Sequence, residues 1–267
     1  MKTRIPLFVV AASTLFTASA SAHGDDHDPC DIELQGNIRY ASGMLNIDMD
    51  NGSQLTITPD YMLAVNGEWV KLSEQEQHWV ETYHQQLETA IPMTLNIASQ
   101  GLDIASVAVN EAFGELLGPD DELVADFNEL FTSLETDMQA AFYDAQGNIQ
   151  IDSSRFDEPG WFDDAWEARF EEQFESLVSE SVGRILIAVG TEMMMEGDMA
   201  AFETKMESFG KDLEQRVEMQ AEALTRDADA LCEVLARADD AEAQMQQHIR
   251  GLDGLNLLDM PNRKLKM

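Results

Sequence analysis

The spacing of apolar residues changes once along this chain, at Ser73, and that change limits the elements it can form. From Asp31 to Leu72 apolar and polar side chains alternate, with Ile32 and Leu34, Leu45 and Ile47, Leu55 and Ile57, Leu63 and Val65, then Trp69 and Val70. A period of two belongs to strands with one buried face. Gly36-Asn37, Ser42-Gly43, Asn51-Gly52 and Asn66-Gly67 punctuate the alternation as turns, so residues 31–72 read as an antiparallel β-meander of four or five strands. Asn51-Gly52 and Asn66-Gly67 are the most specific of these, because a two-residue type I′ turn needs positive φ at both positions.

After Ser73 the period is helical. Ser73-Glu74-Gln75-Glu76 fits a capping box, in which the serine hydroxyl and the glutamate carboxylate each meet an otherwise unpaired amide. A helix to about Ala90 is expected, with Trp79, Val80, Tyr83 and Leu87 on one face. Pro92 suits the first turn of a second helix, whose body Thr94 to Leu117 is mostly small or apolar, and a third runs from about Asp120 to Tyr143. Residues 73–144 are therefore read as helices and 145–160 as a connecting loop. Residues 161–250 carry two long apolar patterns and read as an antiparallel helical hairpin turning near Glu196-Gly197-Asp198, with an arm of about 70 Å from Phe202 to Ile249. Residues 251–267 are left as a tail. The fold class is α+β: a small N-terminal antiparallel β-meander, then a helix-dominated region, in a single mature domain over 23–267.

The first 22 residues do not belong to that domain. Met1-Lys2-Thr3-Arg4 is a positive n-region, Ile5 to Phe16 is apolar apart from Ser13 and Thr14, and Ala20-Ser21-Ala22 is a small-x-small cleavage site. Residues 1–22 read as a signal peptide cleaved after Ala22, and the run is too short for a membrane span. Cys30, in Asp28-Pro29-Cys30, lacks the small apolar flank of a lipid-attachment site. A soluble, exported, periplasmic protein is expected.

Charge narrows the partners. The 267 residues hold 16 Lys+Arg against 51 Asp+Glu, a net charge of −35, and loss of Lys2 and Arg4 with the leader takes it to −37. Such a surface excludes nucleic-acid binding through basic side chains. It suits solubility in a salty medium, a basic partner or divalent cations. The two cysteines, Cys30 and Cys232, exclude a disulfide-dense scaffold. In an oxidising compartment they most simply form one disulfide, worth about 5 kcal/mol in the chain-entropy model; two buried free thiols are the alternative.

Several of these residues together resemble a known family. Cys30 soon after the leader, Leu63-Ala64-Val65-Asn66-Gly67-Glu68-Trp69-Val70-Lys71-Leu72 leading into Gln75, Gln77, Val80 and Tyr83, then Ile91-Pro92 and a late Leu231-Cys232-Glu233, resemble the YggN-like family of bacterial periplasmic proteins. The resemblance spans essentially the whole mature chain. It implies export and a disulfide, and it brings no catalytic residue, because that family is functionally uncharacterised.

His23 and His27, with Asp25, Asp26 and Asp28, form a leader that suits Zn²⁺, Ni²⁺ or Cu²⁺, and cleavage after Ala20 would leave Ser21-Ala22-His23 as a square-planar site. A flexible solvated leader is the plainer reading. Met193-Met194-Met195, with Met199 and Met206, offers thioethers for Cu(I) but equally fills a core. Asp144 to Ile149 resembles part of a calcium loop, but with Gly147 as its sixth position the first is Phe142 and the twelfth Ser153, so the carboxylates are missing. Trp161, Phe162 and Trp166 fall on an apolar helix side, where core packing is favoured over sugar stacking. His78 and His84 lie six residues apart on one helix and do not share a face. No nucleophile motif, zinc-protease motif or phosphate loop is present, and no catalytic residue is assigned. A paired carboxylate site stays open among so many acids. No cofactor is called for. The expected function is a non-enzymatic interaction or envelope-maintenance protein whose partner is an envelope protein or a basic molecule; the alternative is a periplasmic copper-, zinc- or calcium-binding protein using the leader or the acidic surface.

Overall fold

A computed structural model describes residues 32–49, 51–154, 164–196 and 199–260. The chain is α+β, with antiparallel strands followed by a helix-dominated region. It divides into two compact units. One holds the described parts of Met1–Arg39, Gly43–Ala90 and Cys232–Met267; the other holds Tyr40–Ser42 and Ile91–Leu231.

The first unit contains the meander. Its strands are β1 (Glu33–Leu34), β2 (Gly36–Ala41), β3 (Met44–Met49), β4 (Gln54–Ile57), β5 (Leu63–Val65) and β6 (Glu68–Trp69). Within this unit the sheet runs in the order β6-β5-β4-β3-β2. The register pairs Leu45 with Ile57, Ile47 with Leu55, and Ile57 with Leu63, so the alternation of the sequence becomes one buried face. Asn66 and Gly67 adopt φ of 51° and 80°, and Ser42 and Gly43 adopt 50° and 77°, as two-residue turns with both positions left-handed require.

One of the four turn readings is refined and another corrected. Asn51-Gly52 does turn the chain between β3 and β4, but in a connection longer than two residues, closed by hydrogen bonds from the Met49 amide to the Ser53 carbonyl at 2.9 Å and from the Gly52 amide to the Met49 carbonyl at 2.8 Å, with Gly52 at a φ of 84°. The Asn51 carboxamide accepts from the Ser53 amide at 2.9 Å. Gly36 is no turn residue but opens β2, where a Cβ would lie 2.6 Å from the Asp48 carbonyl oxygen. Its missing side chain lets the chain pass close to β3 as it leaves β1. That first strand pairs with β8 (Leu258–Asp259), Leu34 opposite Leu258. Residues 251–260, read as part of a tail, thus add Leu252, Leu255, Leu257 and Leu258 to the core.

α1 (Glu74–Leu117) starts as its capping box requires. The Ser73 amide donates to Glu76 Oε2 at 2.7 Å and the Glu76 amide to Ser73 Oγ at 3.3 Å. The two helices expected on either side of Pro92 are one, with the proline inside. Interior proline removes a backbone bond and costs about 3 kcal/mol. Here Leu87, Ala90, Ile91 and Leu95 continue a single buried face past it while Pro92 points outward, and that packing carries the helix through.

The second unit holds the rest of α1, α2 (Glu122–Phe142), β7 (Gln150–Asp152), α3 (Asp164–Glu196) and the earlier part of α4 (Met199–His248). Leu123, Val124, Phe127, Leu130 and Met138 form the buried side of α2. Phe113 stacks on Phe127 at 5.0 Å, and Phe127 meets Phe174 edge-on at 6.4 Å. Asn110 and Asn128 exchange two carboxamide hydrogen bonds, of 2.6 and 2.8 Å, which fixes the register of α1 on α2. α3 and α4 occupy the spans expected for the arms of the hairpin; its turn residues Gly197 and Asp198 lie outside the described residues.

Candidate functional site

The capped start of α1 sets the rotation that places Tyr83 and His84 inward while His78 stays exposed. Tyr83 has no solvent exposure, and its hydroxyl donates to Glu242 Oε2 on α4 at 2.6 Å. Glu242 is 2% exposed, and its Oε1 accepts from the Leu258 amide at 3.3 Å. Burial pushes the Glu242 carboxyl up to about 7, against the lowering effect of its hydrogen bonds from Tyr83 and from the Leu258 and Leu257 amides; Asp239 adds to the rise. Burial likewise holds the Tyr83 hydroxyl well above its ordinary range, with the charge of Glu242 adding to the effect. Both oxygens of the carboxylate are taken by the protein itself, so the pair clamps the C-terminal segment and does not face solvent.

His84 is a second buried polar group, at 2% exposure. Its Nε2 lies 2.7 Å from the Gly43 carbonyl oxygen, and because a carbonyl only accepts, Nε2 carries the hydrogen. Nδ1 makes no hydrogen bond and faces the Glu88 carboxylate at 3.8 Å. The Tyr61 ring packs on the imidazole edge at 5.3 Å. The residue ties the β2–β3 turn to α1.

A different kind of site lies on α3. Arg184 bonds Asp121 at 2.9 Å, Glu122 at 3.3 Å and Glu180 at 2.7 Å. These carboxylates, Glu180 foremost, raise its guanidinium still further above its ordinary range. Asp121 is also the N-cap of α2, so one carboxylate starts α2 and anchors α3 on it. Away from Arg184 along α3, Val182 is 55%, Leu186 69% and Ile187 71% exposed. Gly183 and Gly190 lie three and four residues from Leu186 and Ile187, and nothing comes within 4 Å of where their Cβ atoms would be. Each glycine costs the helix about 1 kcal/mol relative to alanine. Large apolar side chains exposed this close together on a chain this charged make the α3 face the candidate contact surface.

The sequence candidates fall out unevenly. His23, His27 and Cys30 lie outside the described residues, as do Trp161 and Phe162 and the side chains of Trp166, Met193, Met194, Met195 and Met199. Among the described residues no three His, Cys, Asp or Glu side chains gather into a metal-holding group, and no helix is long and apolar enough to cross a membrane. Cys232, half-buried on α4, is not a free thiol. Asp144 spends its carboxylate on its own turn, accepting from the Gln146 and Asn148 amides and the Asn148 side chain; the Asn148 contacts chiefly hold its carboxyl below the ordinary range. His248, exposed, packs its ring on Trp79 at 4.8 Å. The α3 face has one trace in the sequence, the apolar run Val182 to Val189, which is too short to span a membrane.

An antiparallel meander followed by long helices defines a helix-dominated α+β protein. The chain belongs to the family described as "Protein of unknown function (DUF2884)", whose match covers residues 30–258. No curated protein and no solved structure matches it.

Proposed function

We propose that this chain is a periplasmic interaction protein of the YggN-like kind, exported by the signal peptide at residues 1–22 and serving envelope maintenance without chemistry of its own. The observation that carries the reading is the α3 face, where Val182, Leu186 and Ile187 stand in solvent. The leader sequence and the acidic surface support the address and the solubility. Cys30 and Cys232 form the single disulfide in this reading, supported by their being the chain's only cysteines and by Cys232 not being free. Alkylation before and after reduction, read by intact mass, then finds no reactive thiol first and two afterwards.

Cross-linking in the intact envelope tests the function. The mature chain and its Leu186→Asp variant are each captured and their cross-linked partners identified by mass spectrometry. A saturable partner lost in the variant is the expected result. Partners indifferent to Leu186, or fractionation of the chain with the cytoplasm, would overturn the reading.

A further inference from the structure

We propose that the outward face of α3 around Leu186 and Ile187 docks a cationic amphipathic helix of another polypeptide. The proposal rests on the interaction reading above and names the occupant of the same face. Three features select that chemistry. The face is the side of a helix, whose backbone amides and carbonyls are already paired, so a partner finds side chains there and must satisfy its own backbone, as a helix does and an extended peptide does not. Gly183 and Gly190 leave open space beside Leu186 and Ile187, seven residues apart on the helix, where the ridge of a second helix can approach the backbone closely.

Charge chooses the sign. Exposed Glu171, Glu172, Glu175 and Glu180 precede the patch along α3. Arg184, the cation beside it, is held by Asp121, Glu122 and Glu180. An apolar patch with a run of carboxylates leading into it along the helix matches a helix with a leucine-rich face flanked by Lys or Arg. A second copy of the mature chain, at −37 without Lys2 and Arg4, and an anionic bilayer are both repelled.

The probe is a fluorescein-labelled peptide of leucine and lysine, about 20 residues long so that it folds as an amphipathic helix, titrated with the full mature protein and followed by anisotropy. A twin peptide with glutamate for lysine is the control. Saturable one-to-one binding of the lysine peptide, weakened by salt and absent for the glutamate peptide, is expected. Leu186→Asp is the deciding variant, since it removes apolar contact while adding negative charge. At an exposed position it leaves the circular dichroism unchanged, and it should weaken binding about tenfold. Binding unchanged or strengthened in that variant would reduce the effect to diffuse attraction to carboxylates and overturn the proposal. So would a sedimentation dimer dissociated by Leu186→Asp, which gives the face to a second copy, or Leu186-dependent binding to phosphatidylglycerol vesicles. Leu186-dependent capture in the envelope without peptide binding would leave the interaction reading standing and remove the cationic helix; loss of both would remove both.

Discussion

Burial of Glu242 couples the stability of the fold to pH. Its carboxyl, at about 7 when folded, has an ordinary value of 4.5 when the chain is unfolded. A raised folded value means that its stabilisation is complete below about 4.5 and is lost as pH rises through about 7. The denaturation midpoint should therefore climb as pH falls from 8 to 5, by at most about 3 kcal/mol from this one group. Glu242→Gln keeps the hydrogen-bonding shape without the charge. It should be more stable than the parent at pH 8 and lose most of that difference by pH 5, as read by urea unfolding at each pH; parallel pH profiles for the two proteins would refute this account. Tyr83 was legible as a core residue from its helical spacing with Val80 and Leu87. Its partner was not, because Glu242 is one of 51 acids and lies 159 positions away in the chain. Spacing reports which way a side chain faces, and nothing local marks one buried carboxylate among many exposed ones.

At the scale of elements, α1 carries a strong start and a weak middle. Ser73→Ala removes the hydroxyl that accepts from the Glu76 amide and should cost about 1 kcal/mol, measured by chemical denaturation. Pro92→Ala should act in the opposite direction. It restores a backbone bond and relieves the ring's clash with the preceding turn, together worth about 3 kcal/mol, less about 1 kcal/mol for the freedom regained by the unfolded chain, so the melting temperature rises. A lower melting temperature would show that the fold relies on a bend there. The capping box and the Asn66-Gly67 turn were legible because each is decided within four residues. The unbroken helix through Pro92 was not, since burial of Ile91 and Leu95 overrides a local breaker. Nor was β8, a two-residue strand that exists only because β1 pairs with it.

For the molecule as a whole, a net charge of −35 means that folding gathers like charges. Sodium chloride should raise the melting temperature steadily from a few millimolar to about 0.5 M, as the Debye length falls below about 10 Å. Scanning calorimetry checks this, and a midpoint independent of salt would show that the carboxylates are spaced widely enough not to interact. The pairing of β1 with β8 bears on how such a chain is made. Residues 91–231 leave the ribosome before Cys232 and the residues after it, yet the first unit needs both Leu34 and Leu258. The inserted unit has all its residues early, whereas the unit that begins the chain must hold an unfinished sheet until the last leucines arrive. During synthesis the protein's earliest strand is therefore the one that waits longest for its partner, and a nascent chain stalled before Leu258 leaves β1 with its backbone unpaired for whatever escorts it.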